Sequence, residues 1–450
     1  MKKTYEMDMC HGPLFGKILR FAVPLILSGM LQILFNAADV IVVGHYSGND
    51  ALAAVGSTAS LINLLINLFM GTSVGANVLV ARYFGSKNEK AIHETVHTAI
   101  TLALICGVIM LVLGIAISAP MLTLMGTPDN VLPYSVLYMR IYFIGMPALV
   151  VYNFGAAILR AVGDTKRPLY FLTAAGVINI IFNLIFVIVF KLGVAGVAIA
   201  TTISQTISAV LVLLCLYRTT GVYRLEFRKL RLYKDKLLSI LRIGLPAGIQ
   251  GAMFNISNLL VQSSINSFGS IVMAGNTAAN NVDGFLNVTS TAIQQTSLSF
   301  ISQNMGAGEY KRVDKVLAEC LALVIGVELV LGLGSYAIGG QLLHIFSPDA
   351  EVIKYGVIRM GFICAPYAIC SVMDVLAGSL RGLGYSLLPT IVALLGICVF
   401  RVIWVTTIFK ANHTLFMLYI IYPISWGITA LVHGTIYLTA GRRRLKKGLA

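Results

Sequence analysis

Between Ile100 and Pro120, and again between Leu169 and Phe190, the chain runs the thickness of a bilayer without one charged side chain. A helix needs roughly 20 apolar residues to cross the hydrocarbon layer. Lipid offers bare backbone no hydrogen-bond partner, so each run has to be helical, and each is far too long for the roughly 10-residue alternating strands of a membrane barrel. Comparable runs recur along all 450 residues, and with 58% hydrophobic and only 11% charged residues the chain is too apolar to present a soluble surface. Its mean hydropathy of +0.86 agrees. The fold class this predicts is an all-α polytopic membrane protein.

Twelve spans can be placed. The first six cover about residues 14–43, 52–83, 94–118, 134–159, 168–190 and 194–217, and the second six about 237–266, 271–305, 314–346, 355–380, 388–410 and 415–439. The second set restates the first. Pro24 in FAVPLILSG answers Pro246 in IGLPAGIQG (246 − 24 = 222), and Gly85 answers Gly306 (306 − 85 = 221). LRAVGDTKRP and LRGLGYSLLP match best, with Arg160 and Arg381, Gly163 and Gly384, and Pro168 and Pro389 each 221 apart. Because six is even, both halves enter the membrane from one side. The expectation is two six-helix bundles, 1–217 and 237–450, related by a pseudo-twofold axis along the membrane normal and joined by a basic cytoplasmic linker at 218–236. Duplicated spans of this kind are a mark of transporters, whose substrate sites lie where the repeats meet.

Lysine and arginine set the orientation. Lys2, Lys3, Lys17 and Arg20 stand at the start, Lys87 and Lys90 after the second span, and Lys166 and Arg167 after the fourth. Arg224, Arg228, Lys229, Arg231, Lys234 and Lys236 lie between the halves, then Lys311, Arg312 and Lys315, and finally the tail from Arg442 to Lys447. The opposite connections hold little beyond Lys191, Lys354 and Lys410. By the positive-inside rule both termini are cytoplasmic. The net charge of +15 is therefore juxtamembrane and suits anionic lipid, with no module for nucleic acid. The N-terminus reads as leading into a first transmembrane helix, without a signal peptide to remove.

Chemistry should show in the polar residues that a membrane makes expensive. Asp39, Asp283, Glu328 and Asp374 lie deep in spans, where a charge costs on the order of 2.5 to 3.5 kcal/mol on insertion scales. Asp39 ends a stripe of Ser28, Gln32, Asn36 and Asp39, spaced four, four and three apart and so on one helical face. An exchangeable H⁺ or Na⁺ could neutralise it there; the plainer reading is an aspartate bonded to a neighbouring backbone. Asn276, Asn280, Asp283, Asn287 and Gln294 make a second stripe, and Asn63, Asn67, Asn255, Asn258, Gln262 and Asn266 add amides. Singly these could be interhelical glue, and together they predict a polar substrate cavity. Asp374 has Asn153 as its counterpart (374 − 153 = 221). Glu328 has no polar stripe and reads as structural or peripheral. Arg401 reads as the only arginine well inside a span, able to pair with a carboxylate or snorkel outward, whereas Arg140 and Arg359 read as snorkelling near span ends. The seven cysteines are scattered without metal spacing, and His93 and His97 lack a third ligand, so no metal site and no cofactor is expected.

FAVPLILSGMLQILFNAADVIVVGH, the LRAVGDTKRP and LRGLG pair, and GVAGVAIATTIS together resemble the multidrug and toxic compound extrusion (MATE) family, over essentially the whole chain. The resemblance implies a secondary active antiporter in a bacterial plasma or inner membrane. It would expel cationic amphipathic drugs and toxins in exchange for H⁺ or Na⁺ by alternating access. The family's cation-coupling aspartate, fifteen residues after a helix-bending proline, falls on Asp39 and Pro24 (39 − 24 = 15). Its Asn-x-x-x-Asp pair falls on Asn179 and Asn183, and its sixth-helix threonine on Thr201. Asn183 departs from that pattern; the lost carboxylate weakens the case for Na⁺ and favours a proton at Asp39. The glutamate that one branch carries in helix seven is absent near Asn255. The runner-up is a flippase for lipid-linked sugars or other amphiphiles, which often has fourteen spans and a cationic cavity. No HExxH, GxSxG or phosphate-binding loop suggests an enzyme, so no catalytic residue is expected.

Overall fold

The computed structural model describes residues 5–449, so Lys2 and Lys3 lie outside the described residues. Among these residues there is no strand. The membrane-length helices are α1 (Leu14–Tyr46), α2 (Asn49–Gly85), α3 (Glu89–Leu124), a bent pair α4 (Leu132–Ile144) and α5 (Met146–Ala161), α6 (Lys166–Val189) and α7 (Gly193–Arg218). The second half repeats them as α8 (Lys234–Asn266), α9 (Ser270–Ala307), α10 (Tyr310–Ala337), a short α11 (Gly339–His344), a second bent pair α12 (Ala350–Ile363) and α13 (Tyr367–Gly382), α14 (Leu387–Phe409) and α15 (Leu415–Lys446). Among the described residues nine helices are long and apolar enough to cross a membrane, and up to eleven spans result when each bent pair counts as one. The remaining expected span, 271–305, is α9, a 38-residue helix that falls outside this set and carries the Asn276–Gln294 stripe.

Local chemistry explains where these helices start, stop and bend. The Asn88 side chain accepts from the Ala91 amide at 3.0 Å, and Asp349 accepts from the Glu351 amide at 2.9 Å, so α3 and α12 begin at N-caps lying before their apolar runs. The pairs α4–α5 and α12–α13 bend by 46° and 44°. Pro147 and Pro366 stand at these bends, since proline removes an amide and crowds the preceding turn. Hydropathy runs unbroken through both, so the sequence reads each pair as one straight span. The expected span 314–346 is likewise split, with α10 ending at Ala337 and α11 beginning at Gly339.

Positive backbone φ angles restate the duplication. Gly48 (87°) and Gly269 (94°) precede α2 and α9, Lys87 (54°) and Gly308 (78°) follow them, and Gly163 (93°) and Gly384 (95°) turn the chain after α5 and α13. Each pair is 221 apart (269 − 48, 308 − 87, 384 − 163). Glycine reaches this region without steric cost, which is why the LRAVGD and LRGLGY landmarks keep it.

The chain folds as two compact units. Unit 1 comprises residues 1–8 and 27–249, and unit 2 comprises residues 9–26 and 250–450. Each therefore includes half of the first helix of the other repeat, and the changeovers at 26/27 and 249/250 follow Pro24 and Pro246 by a few residues. In unit 1, α2 meets the first half of α8 through glycines: a methyl added at Gly71 or Gly248 would overlap the backbone of Gly248 or Leu68. In unit 2, the first half of α1 lies on α9, where Gln303 Oε1 accepts from the Met9 amide at 3.0 Å and the Phe21 and Phe300 rings meet edge-on at 5.5 Å.

Candidate functional site

Within unit 1, Gly176 on α6 has no side chain and the Phe35 ring of α1 lies directly against it. The two helices run parallel, being first and fifth in the bundle, so one further turn along α1 and one to two along α6 bring Asp39 beside Asn179 and Asn183. Asn183 Nδ2 donates to Asp39 Oδ1, and Thr201 Oγ1 of α7 donates to Asp39 Oδ2 at 3.4 Å. Asn183 also donates to Asn179 Oδ1 at 3.3 Å, and Asn179 Nδ2 donates to Thr201 Oγ1 at 3.4 Å. Asp39, Asn179, Asn183 and Thr201 thus form one closed polar cluster. Among the described residues no lysine, arginine or histidine is salt-bridged to Asp39. The Asn183 Oδ1 atom is buried without a hydrogen-bond partner.

Sequence reasoning missed two tyrosines of this site. Tyr138 and Tyr142 of α4 are within electrostatic reach of Asp39, and Tyr142 reaches Gln205 of α7. Their one-turn spacing was the available signal. The last turn of α6, Ile185–Val189, is wound as a wider π-helix directly after Asn183 and Leu184, an irregularity frequent at functional sites. A cavity of about 790 Å³ opens there, lined by Tyr46, Asp50, Tyr134, Val187 and Lys191 among others. Val187 is one turn beyond Asn183.

The remaining polar candidates fall into two groups. In unit 1, Gln32, Asn36 and Asn63 are exposed and Asn67 is half-buried. In unit 2, Asn276 donates to Gln262 Oε1 at 2.9 Å, Asn255 is half-buried, and Asn258 and Asn280 are exposed. Asp283 is no free cavity carboxylate: its Oδ2 lies 2.7 Å from Arg359 Nη2, and Cys364 Sγ donates to its Oδ1 at 3.0 Å. This corrects the snorkelling reading of Arg359, which is only 4% exposed. The reason is the bend, since α12 starts at Ala350 and carries Arg359 well into the bent pair. Arg140 is exposed, as expected. Among the described residues Arg401 has no carboxylate partner, and it is buried and does not snorkel; it donates to Asn258 Oδ1 at 3.1 Å and lies 4.3 Å over the Tyr422 ring. It is also not alone, because Arg381 is buried and donates to Gln250 Oε1 at 2.6 Å. Asp374 Oδ2 accepts from Ser290 at 3.0 Å.

Among the described residues no three His, Cys, Asp or Glu side chains gather as metal ligands. His93 and His97 stack at 4.0 Å, and His97 Nε2 accepts from the Glu226 amide at 3.0 Å, so the pair ties α3 to the linker.

The MatE family model matches the chain twice, over residues 24–185 and 246–406. The chain belongs to the MATE family of transporters. The two matches begin 222 residues apart (246 − 24), at the two prolines of the repeat. The probable multidrug resistance protein YoeA of Bacillus subtilis is 31% identical over 388 residues, covering 84% of this chain and 83% of that protein. A FAD transporter of Shewanella oneidensis is 24% identical over 356 residues, with 77% of each covered. A crystal structure of MATE in the bent conformation has a TM-score of 0.89 at 20% identity, covering 96% of this chain and 97% of its own. This MATE chain is therefore a multi-pass membrane transporter, and its all-helical duplicated architecture is that of its solved neighbours.

Proposed function

We propose that this MATE transporter is an antiporter that exports cationic, amphipathic small molecules in exchange for an inward-moving cation, with Asp39 as the carboxylate that takes up that cation. The observation that carries the reading is the pairing of Asp39 with neutral donors alone, Asn183 and Thr201, in a membrane-spanning helix. A carboxylate so placed holds one negative charge that only a mobile cation can balance. A proton suits the group best. If Asp39 is protonated, its hydroxyl can donate to the otherwise unpartnered Asn183 Oδ1, whereas Na⁺ would have to gather several oxygens around a single formal charge. The cavity lined by Val187, one turn beyond Asn183, is proposed as the route by which that cation enters.

Coupling requires that the cation favour one conformer, because equal affinity for both shifts nothing. Pro24 lies inside α1 just before the chain passes from unit 2 to unit 1. Asp39 lies beyond it, so a change of its charge acts on a helix that proline has already weakened; a neighbour solved in a bent conformation is in keeping with this. In unit 1 Gln32, Asn36, Asn63 and Asn67, and in unit 2 Asn255, Asn258, Gln262, Asn276, Asn280 and Asp374, are each proposed as substrate contacts, neutral amides and one acid. Asp283 is proposed to shape that surface from its pair with Arg359.

The test is efflux from proteoliposomes with ΔpH and ΔNa⁺ imposed separately, using a fluorescent organic cation and, in parallel, an anionic flavin. Asp39→Asn should abolish export of the cation while the protein still inserts and purifies as a single species. Export retained by that variant would refute the coupling role, and transport of the flavin alone would refute the substrate class.

A further inference from the structure

Glu328 of α10 has no exposed surface, and no well-aligned hydrogen bond reaches either carboxylate oxygen; the Ser371 hydroxyl is the one polar group near enough to make one. No basic side chain among the described residues is salt-bridged to it. An ionised carboxylate left so in a membrane interior costs several kcal/mol, so the form this site tolerates at rest is the neutral acid. The peripheral reading of Glu328 fails with its burial. Its polar neighbours are Ser371 and Asp374 of α13, one turn apart on one face. The buried Ser371 hydroxyl is within reach of the Glu328 carboxyl and makes no other hydrogen bond, so a small rotamer change would align the two groups. Beyond Ser371 the polar path continues through Asp374 to Ser290 of α9, at 3.0 Å.

The position is also mechanical. Gly332, one turn after Glu328, lies so close to the Cys364 carbonyl that a methyl there would overlap it. Glu328 therefore sits beside the 44° break between α12 and α13. Its counterpart in the first repeat is Gly107 (328 − 107 = 221), where an added methyl would come within 2.5 Å of Pro147 Cα at the corresponding break. The same position abuts the break in both units, inert in unit 1 and ionisable in unit 2.

We propose that Glu328 is a proton-binding site of unit 2, separate from Asp39, whose proton is held against the α12–α13 break and exchanged by way of Ser371 and Asp374. The charged and titratable groups on the elements packed against α10 are Asp283 of α9, Glu351, Lys354, Tyr355 and Arg359 of α12, Cys364 at the break, and Tyr367, Cys370, Asp374 and Arg381 of α13, with His344 on α11 and Arg442, Arg443, Arg444 and Lys446 at the end of α15; Glu351 is paired with Lys354 at 3.2 Å. Of these, Asp283 is already held by Arg359 and Arg381 by Gln250, which leaves Asp374 as the acid acting on Glu328. Loss of the Glu328 proton would put a second negative charge near Asp374, and the break is where backbone can yield to it.

The two tryptophans make this testable without transport. Trp426 meets Tyr367, the first residue of α13, edge-on at 5.7 Å, and Trp404 can be removed as Trp404→Phe. In substrate-free, Na⁺-free nanodiscs the Trp404→Phe protein should show a step in Trp426 emission as pH is raised. Added Glu328→Gln should abolish the step, and added Asp39→Asn should leave it in place. Absence of the step in Trp404→Phe, its survival in Glu328→Gln, or its loss in Asp39→Asn would each overturn the proposal. If Glu328→Gln does not fold, Glu328→Asp should displace the midpoint, and an unmoved midpoint overturns the proposal equally. Because no export is measured, failure of the antiport reading would leave this result intact.

Discussion

Removing the carboxylate of Asp283 should destabilise the protein far more than removing it together with Arg359. Arg359 is 4% and Asp283 8% exposed, and their charged atoms are 2.7 Å apart. Arg359 has one other acceptor, Asn280 Oδ1 at 3.1 Å, while its Nε and Nη1 are buried without partners. The guanidinium thus depends on one carboxylate. If the pair were only polar glue between membrane helices, Asp283→Asn would cost about 0.6 kcal/mol. If it is a buried ion pair, the variant strands a cation and costs about 3 to 5 kcal/mol. The second figure should win, since Arg359 has no exposed route by which to reach water. Asp283→Asn with Arg359→Gln leaves no charge behind and should recover most of the loss, because a buried pair is about neutral relative to an uncharged replacement. Thermal stability of the purified protein, followed by size-exclusion chromatography after heating, gives the four corners of the cycle. A single variant as stable as the parent, or a double variant no better than the sum of the singles, would refute the dependence.

Gly71→Ala and Gly248→Ala should each destabilise unit 1 by about 1 to 3 kcal/mol or more, because the added methyl meets backbone that has no rotamer to change. Gly16→Ala, with nothing within 4 Å of the new methyl, is the matched control and should be neutral in the same heating assay. Gly176→Ala should push the Phe35 ring off α6, part Asp39 from Asn183 and reduce export; adding Phe35→Ala should restore part of it. If the double variant exports no better than Gly176→Ala, the Phe35 contact is not what sets the Asp39 geometry.

The span pattern was legible because lipid leaves so little choice. The run 94–118 appears inside Glu89–Leu124, the helix extending past the apolar segment wherever a cap and polar turns allow. The polar stripe points to Asp39, the family resemblance points to Asn179, Asn183 and Thr201, and the four lie together. What stayed hidden was three-dimensional. Hydropathy carries no sign of a 44° bend, so Arg359 seemed to lie near an end and its partner 76 residues earlier (359 − 283) left no mark in the sequence. Nor does hydropathy show that α1 and α8 each serve two units, since each reads as one continuous span across the changeover.

The repeat explains why the two units cannot work alike. Carried forward by 221 residues, Asn179, Asn183 and Thr201 fall on Phe400, Trp404 and Tyr422, and Asp39, carried by the 222 of the prolines, falls on Val261. Val261 is fully buried, and Trp404 and Tyr422 pack against the same apolar cluster. The place that holds a lone carboxylate in unit 1 is therefore closed by hydrophobic packing in unit 2, where no cation could be accommodated without opening a core. The acids deep in the spans of unit 2 stand elsewhere, at Asp283, Glu328 and Asp374, and of these three only Asp283 has a salt-bridge partner among the described residues. Duplication preserved what the bilayer and the backbone demand: the prolines, the left-handed glycines and the two bends. Polar chemistry is free of that demand so long as each charge is balanced, which is why the repeats agree in scaffold and diverge wherever a proton or an ion could be bound.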